Sequence, residues 1–279
     1  MPYPLYMSVD GPRLPHAEVQ ACLGSQATFL GGGTFGDTWR CGSEAVKVLC
    51  GAASDPSQIQ REINGLTRVK HPNVVELYEV RMLSIGGDSY PAMIFEYIAG
   101  GDVLERLLQD QWPSTDEAED FLRNLLEGIN ALHETSTIHR DIKPANIALR
   151  NGRWNDPVIL DLGLSKQLDA RTITVYPNLI GTPLYMAPEQ LRGERAVKAS
   201  DLWAVGLVTA QLLLREHPFY KTGENISAQE YLDRLRIGPP SFPPNLKQST
   251  SAALKRLLSY VAYSRGSARS NLRRLSEGR

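Results

Sequence analysis

Short β-prone stretches separated by glycine-containing turns occupy the first third of the chain. Residues 27–30, 37–41 and 44–49 form one such series, and their spacing predicts a small antiparallel sheet. Two more β-prone stretches, VVELYEV and PAMIFEYI, lie within residues 74–98. The first part of the chain is therefore predicted to be rich in β-structure.

One helix is predicted between the third and fourth of these stretches. Asp55 can cap its start, and Pro56 suits its first turn. Glu62 borders the apolar face of the helix. The apolar residues that recur at helical spacing and form that face are Ile59, Ile63, Leu66 and Val69.

Beyond residues 98–101 the pattern changes to helical spacing. Helices are predicted over residues 103–110, 116–134, 202–214, 227–236 and 250–276. A β-rich part followed by a helical part indicates an α+β fold with two lobes, and a cleft between two such lobes is a natural place for a ligand.

Composition indicates an ordinary soluble protein. Of the 279 residues, 42% are hydrophobic and 22% are charged, and the formal net charge is -1. We therefore predict neither a nucleic acid partner nor a membrane segment. The odd number of cysteines, 3, favours reduced thiols and a cytoplasmic location. Residues 1–15 are predicted to form an irregular arm.

The stretch LGGGTFGDTW carries the first chemical signal. Gly31, Gly33 and Gly36 have the spacing GxGxxG, which occurs in loops that bind phosphate groups. A dinucleotide-binding fold requires a helix directly after the glycines, but a β-prone stretch follows here. The glycines alone are consistent with a simple hairpin turn or with a loop whose backbone N–H groups approach phosphate.

Four further motifs follow in order: AVKVL, HRDIKPAN, DLG and GTPLYMAPE. Together with the glycines they resemble the protein kinase family, over about residues 25–275. The resemblance implies a bilobal α+β fold with a kinase domain at 16–279. Its small N-lobe is expected at about 16–97, a hinge at about 96–101, and a larger helical C-lobe at about 102–279.

The resemblance also implies an ATP site. Lys47 is expected to contact the α and β phosphates, Phe95 to be the gatekeeper, and Asp102 to lie near the ribose or the substrate. The Glu96 carbonyl and the Ile98 amide are expected to bind adenine. The full implied set is Leu30, Gly31, Gly32, Gly33, Thr34, Phe35, Gly36, Thr38, Ala45, Lys47, Phe95, Glu96, Ile98 and Asp102.

Catalysis of phosphoryl transfer is mostly positioning and electrostatic stabilisation. By resemblance, Asp141 accepts or orients the proton of the attacking hydroxyl, and Lys143 steadies the transferred phosphate. Glu62 is expected to pair with Lys47. The resemblance also implies a bound metal ion, Mg²⁺ or alternatively Mn²⁺. Mg²⁺ requires hard oxygen ligands. The implied ligands are Asn146 and Asp161.

Other residues match scaffold or regulatory positions of the family. Arg140 matches an arginine that often binds a phosphorylated activation segment in this family. Thr172 and Thr174 are therefore candidate sites of autophosphorylation. Self-association for this autophosphorylation is a further expectation. His139 and Thr182 are expected to support the catalytic loop. The two remaining expectations are that Glu189 pairs with Arg269 and that Asp201 braces the catalytic loop through backbone N–H groups.

The resemblance favours a serine/threonine protein kinase that uses ATP and Mg²⁺ and acts on protein substrates. Lys143 and Thr182 are typical of that class. A pseudokinase, which keeps the fold as a nucleotide-binding interaction module, is the alternative. A small-molecule kinase is disfavoured by the motif GTPLYMAPE.

Overall fold

The computed structural model describes residues 11–33, 36–51, 63, 67, 69–161 and 182–260. Its first part is a five-stranded antiparallel sheet with the strand order β1-β2-β3-β5-β4. The strands are β1 (Thr28–Gly32), β2 (Asp37–Cys41), β3 (Glu44–Val48), β4 (Leu77–Ile85) and β5 (Asp88–Glu96). The predicted β-rich first part is confirmed.

The two faces of this sheet have different neighbours because side chains alternate along each strand. Ala45 and Lys47 point to one face, where Ala45 pairs across the strands with Phe95. We call this the inner face, since it is turned toward the second part of the chain. Val46 and Val48 point to the opposite, outer face. The outer-face cluster consists of Leu14, Val19, Trp39, Val46, Val48, Leu83, Ile85, Ala92 and Ile94.

A helix that the sequence did not predict covers the outer face. This helix, α1 (His16–Leu23), buries Val19 completely, and Leu14 just before it is also buried. The His16 ring packs edge-on against Trp39, with 5.1 Å between ring centroids. The segment from residue 13 to the start of α1 is therefore part of the small lobe. Residues 1–10, which make up most of the predicted arm, lie outside the described residues.

The second part of the chain is mainly helical, as predicted. Its elements are α2 (Val103–Leu108), α3 (Thr115–Glu134), β6 (Ile147–Leu149), β7 (Pro157–Ile159), α4 (Pro188–Leu191), α5 (Lys198–Leu214), α6 (Ala228–Ile237) and α7 (Gln248–Leu257). The helix predicted over 250–276 ends at Leu257, and the prediction is wrong at residues 258–260, which are not helical. Residues 261–276 lie outside the described residues.

Helix α3 begins at a capping box and runs through the centre of this part. Ser114 accepts the N–H of Glu117 at 3.3 Å, and the Glu117 carboxylate accepts the N–H of Ser114 at 2.8 Å. The helix then packs against α5, a helix buried on nearly every side. Across the described ranges, no helix has the length and apolar character needed to span a membrane. The packed helices of the large lobe thus support the loops that connect them.

The helix predicted after β3 falls mostly outside the described residues. Ile63 has helical conformation, and the N–H of Thr67 donates to the Ile63 carbonyl at 2.9 Å, which is the i to i+4 bond of an α-helix. Val69 is buried. Glu62 itself lies outside the described residues, so its expected pairing with Lys47 stays a prediction.

Candidate active site

A single buried carboxylate holds the backbone of the loop 139–146. Asp201, in the first turn of α5, accepts the N–H of His139 at 2.9 Å and the N–H of Arg140 at 2.7 Å. The ring of His133 on α3 binds the same carboxylate at 2.7 Å. Arg140 has a φ of 72°, in the left-handed region that non-glycine residues rarely adopt. The bonds from Asp201 offset the cost of that conformation.

Asp141 lies at the centre of a local hydrogen-bond network. The ammonium of Lys143 donates to Asp141 Oδ2 at 2.8 Å. The side-chain amide of Asn146 donates to the Asp141 carbonyl at 2.8 Å and to Oδ2 at 3.1 Å. The Asp141 side chain remains 32% exposed. The network therefore orients a carboxylate that a substrate can still reach.

His139 connects this loop to the strand that precedes Asp161. The ring is fully buried, Nδ1 accepts the N–H of Asp141 at 3.3 Å, and Nε2 lies 2.9 Å from the Leu160 carbonyl. A carbonyl can only accept, so Nε2 carries the proton and the ring is the neutral tautomer. With both nitrogens occupied, His139 is a structural link between Asp141 and Leu160.

An ion pair spans the two lobes at this point. The ammonium of Lys47 on β3 donates to Asp161 Oδ1 at 2.5 Å. Burial raises the pKa of Asp161, but the positive charge of Lys47, with a smaller contribution from Lys143, outweighs burial and lowers that pKa below its usual range. Asp161 is therefore ionised at neutral pH. Its φ of 42° is also in the left-handed region.

The three glycines of the GxGxxG motif, Gly31 in β1 and Gly33 and Gly36 in the turn that follows, have different surroundings. A Cβ at Gly36 would overlap the carbonyl oxygen of Val48, so this position requires glycine for close backbone packing. A Cβ at Gly31 would meet nothing within 4 Å, and one at Gly33 would meet only the Gly36 carbonyl oxygen at 3.9 Å. The fold itself therefore does not demand glycine at Gly31 and Gly33. Thr34 and Phe35 lie outside the described residues.

The inner face of the sheet brings together the apolar residues expected around adenine. Thr38 pairs with Lys47 across β2 and β3, so their side chains share a face with Ala45. Phe95 is buried beside Ala45. Leu30 on β1 remains 45% exposed. Register thus places Thr38, Ala45 and Phe95 on the face that also carries Lys47.

The connector between the lobes is held by side chains from both sides. The guanidinium of Arg150 donates to both carboxylate oxygens of Glu96, at 2.8 and 3.1 Å. Ile98 is buried. Asp102 caps α2 by accepting the N–H of Glu105 at 2.8 Å, and burial raises the Asp102 pKa. A shallow polar depression of about 590 Å³, which includes Gly101, Arg106 and Asn151 in its lining, lies beside this connector.

Asn146 and Asp161 supply the donor atoms that magnesium prefers. The amide nitrogen of Asn146 donates to Asp141, and only the amide oxygen has the lone pairs that a metal ion requires. Within the described ranges there is no cluster of three His, Cys, Asp or Glu side chains that could hold a metal alone. One carboxylate and one amide oxygen fit Mg²⁺, because Mg²⁺ commonly takes its other ligands from phosphate and water.

The scaffold and regulatory residues expected from the resemblance are only partly described. Glu189 is buried and accepts the hydroxyl of Ser200 at 2.7 Å. Thr182 begins a 3-10 turn, Thr182–Tyr185. The expected residues Thr172, Thr174 and Arg269 lie outside the described residues.

Two supporting residues were missed by the sequence analysis. His133 binds Asp201, as described above, and Gln190 on α4 donates to the Arg140 carbonyl at 3.1 Å. Both contacts join residues at least 50 positions apart. The only sequence signal for Gln190 is its position directly after the motif GTPLYMAPE, and His133 has no local signal.

Comparison with known proteins agrees with this geometry. The sequence model of the protein kinase domain matches residues 25–277. The chain belongs to the protein kinase family. Both the resemblance drawn from the motifs and the predicted bilobal α+β fold are confirmed by this match and by the sheet and helices of the kinase domain.

Curated relatives cover most of the kinase domain. Calcium/calmodulin-dependent protein kinase type IV of Mus musculus is 32% identical over 73% of this chain and 42% of its own length. Myosin light chain kinase 3 of Homo sapiens is 30% identical over 70% of this chain and 24% of its own length. Calcium/calmodulin-dependent protein kinase type 1 of Macrobrachium nipponense is 31% identical over 66% of this chain and 53% of its length. The chain therefore spans about half or less of these relatives.

Proposed function

We propose that this kinase domain transfers the γ-phosphoryl group of ATP to serine or threonine hydroxyls of cytoplasmic proteins. The observation that carries the proposal is the convergence of Lys47, Asp141, Asn146 and Asp161 at the junction of the two lobes. Similarity to kinases whose names include myosin light chain kinase supports a protein substrate. Lys143 and Thr182 support serine or threonine as the acceptor.

Asp141 is the proposed base. Its contacts with Lys143 and Asn146 both fall on Oδ2, which leaves Oδ1 to accept the proton of the substrate hydroxyl. Lys143 lies close enough to Asp141 to neutralise charge on the transferred phosphoryl group. These residues therefore align the nucleophile and stabilise the charge that develops during transfer.

Lys47 and the glycine turn are proposed to hold the nucleotide. Lys47 changes partner when ATP binds, from the Asp161 carboxylate to the α and β phosphates, with Glu62 as its second proposed partner. Gly31 and Gly33 leave space beside the backbone that phosphate oxygens can approach. Thr38, Ala45 and Phe95 provide the apolar wall for adenine, with backbone bonds from Glu96 and Ile98.

Asp161 and Asn146 are the proposed metal ligands. Mg²⁺ bound there would neutralise the phosphate oxygens and orient the terminal phosphoryl group. The low pKa of Asp161 supports this assignment, because a ligand carboxylate must be ionised. Autophosphorylation at Thr172 or Thr174, with Arg140 as the residue that binds the new phosphate, and the Glu189–Arg269 pair are further proposals.

The test compares wild type, Asp141→Asn and Asp156→Asn in transfer of radiolabelled phosphate from ATP to a generic protein substrate. Asp156 is a matched control, since its carboxylate also binds a basic side chain, Arg153, at 2.9 Å but belongs to the turn before β7 and not to the loop 139–146. Asp141→Asn should lower kcat by about 10² to 10⁴ while ATP still binds, and Asp156→Asn should retain activity. Wild-type protein that binds ATP without transferring phosphate would instead identify a pseudokinase.

A further inference from the structure

Arg13 contacts the glycine turn from a segment that precedes the kinase family match at residue 25. Its guanidinium donates through Nη1 to Asp37 Oδ1 at 2.7 Å and through Nη2 to the Gly33 carbonyl at 2.6 Å. Its backbone N–H also donates to Asp37 Oδ2 at 2.5 Å. One residue therefore binds both sides of the turn, Gly33 at the end of β1 and Asp37 at the start of β2.

Asp37 depends on this contact because its side chain is fully buried. A buried carboxylate is costly unless it is paired and accepts hydrogen bonds. Besides the two bonds from Arg13, the N–H of Leu14 donates to Oδ2 at 3.3 Å. The charge of Asp37 is thus met by two successive residues of the N-terminal segment.

The position of Arg13 is itself fixed by packing. Leu14 and Val19 are buried in the outer-face cluster, against strands of the sheet. The turn that Arg13 binds is closed by a further bond, in which the N–H of Gly33 donates to the Gly36 carbonyl at 2.8 Å. Helix α1 and the sheet therefore anchor Arg13, and Arg13 anchors the two ends of the turn.

We propose that Arg13 is a positioning residue for the nucleotide, which acts by holding Gly33 and Asp37 in the arrangement that receives the triphosphate. This inference rests on the proposed function, since it assigns the turn to ATP. Its physical basis is preorganisation: a turn held before binding loses less conformational freedom when the ligand arrives. The segment before the family match is thereby part of the ATP site without touching ATP.

Lysine at this position separates positioning from a merely structural role. Arg13→Lys keeps the positive charge beside Asp37 and both backbone N–H donors. A single ammonium lacks the planar fork with which arginine reaches two acceptors at once. The variant should therefore retain the pairing of the buried carboxylate while the bond to the Gly33 carbonyl is lost.

The experiment measures two properties of wild type, Arg13→Lys, Arg13→Ala and the control Arg153→Lys. Arg153 is a suitable control because it forms an exposed ion pair with Asp156, with 61% of its side chain exposed. The first measurement is amide hydrogen exchange of residues 31–38 without nucleotide. The second is the pair KM for ATP and kcat, with the melting temperature recorded for each variant.

We expect Arg13→Lys to melt close to wild type, to exchange faster at residues 31–38, and to raise KM for ATP about fivefold with little change in kcat. Arg13→Ala should show the same changes with a lower melting temperature, and Arg153→Lys should show none. Unchanged exchange and KM in Arg13→Lys would overturn the inference and leave Arg13 with a structural role alone.

The two proposals fail in distinguishable ways because hydrogen exchange needs neither ATP nor catalysis. If wild type neither binds ATP nor transfers phosphate while exchange at residues 31–38 still responds to Arg13, the proposed function is overturned, and the nucleotide role of Arg13 with it. If wild type is active but hydrogen exchange at residues 31–38 is the same in the Arg13 variants, only the present inference fails.

Discussion

Lys47 and Asp161 lie 114 positions apart in the chain and form an ion pair of 2.5 Å between the lobes. The Lys47 side chain is 8% exposed, whereas that of Asp161 is 43% exposed. Solvent screens such a pair, so we expect little contribution to the free energy of unfolding. In the proposed function the pair matters because Lys47 is the residue that binds phosphate and Asp161 is the residue that binds the metal.

Lys47→Met should therefore separate function from stability. We expect kcat/KM for ATP to fall by about 10² to 10³, as when one preorganised charge donor is removed, with a melting temperature close to wild type. Lys255→Met, at an exposed position of α7, is the control and should be fully active. A large loss of stability in Lys47→Met, with unchanged kinetics in the protein that remains folded, would contradict this prediction.

Alanine at the glycines of the turn should have position-dependent effects. Gly36→Ala forces a Cβ into the Val48 carbonyl and should reduce the free energy of unfolding by about 1 to 3 kcal/mol. Gly31→Ala meets no protein atom within 4 Å and should preserve the fold while it weakens ATP binding. Thermal melts and ATP titrations of both variants provide the check. Equal melting temperatures for the two variants would show that the close packing at Gly36 does not contribute to the stability of the fold.

Asp201→Asn should damage both the fold and the reaction. The amide keeps one acceptor oxygen but removes the charge that accepts the N–H groups of His139 and Arg140. We expect the free energy of unfolding to fall by about 1.5 to 3 kcal/mol and kcat to fall with it. Urea denaturation and steady-state kinetics measure the two effects. Asp233→Asn, whose side chain is 54% exposed in an ion pair with Arg236, should change stability by less than about 0.5 kcal/mol.

His217 should make the large lobe sensitive to mild acid. Burial lowers its pKa from the ordinary 6.5 to about 4, and its Nε2 donates to the Leu184 carbonyl at 3.2 Å. Between pH 6.5 and pH 4 the unfolded chain binds a proton at this ring and the folded chain does not, so stability falls as the pH falls. The full loss for a shift of this size is about 3 kcal/mol.

Melting curves at pH 7.5, 6 and 4.5 test this sensitivity in wild type and His217→Gln. The glutamine can still donate to Leu184 but does not titrate, so the stability of the variant should depend less steeply on pH over this range. Parallel curves for wild type and His217→Gln would assign the acid sensitivity to other groups.

The sequence correctly predicted the strands and helices that are marked by short-range patterns of residues. Strands β1 to β3 and helix α3 follow from β-prone stretches, glycine turns and helical spacing. Lys47 was correctly placed on a strand because AVKVL is β-prone around it. The ordered motifs assigned Lys47 and Asp161 to one site, but they did not predict the contact between these two side chains.

Long-range contacts account for what the sequence analysis missed. Helix α1 has a single buried residue, Val19, and its docking surface comes from strands that follow it in the chain. Asp37 gives no sign of burial in the sequence, because its partner Arg13 lies 24 positions away. His133 and Gln190 likewise act on residues far from them. The last predicted helix was wrong at residues 258–260, where the backbone leaves the helix after Leu257.

The connector between the lobes is pinned at both ends. The N–H of Tyr97 donates to the Ser43 carbonyl in the small lobe at 3.0 Å. At the other end, a Cβ at Gly100 would overlap the Leu149 carbonyl and the Gly152 amide of the large lobe, so the two backbones touch there. Ile98 and Ala99 are the two connector residues between these contacts, so we expect any relative rotation of the lobes to occur there. The Arg150–Glu96 ion pair joins the two lobes across these residues, and we expect it to limit the opening of the cleft.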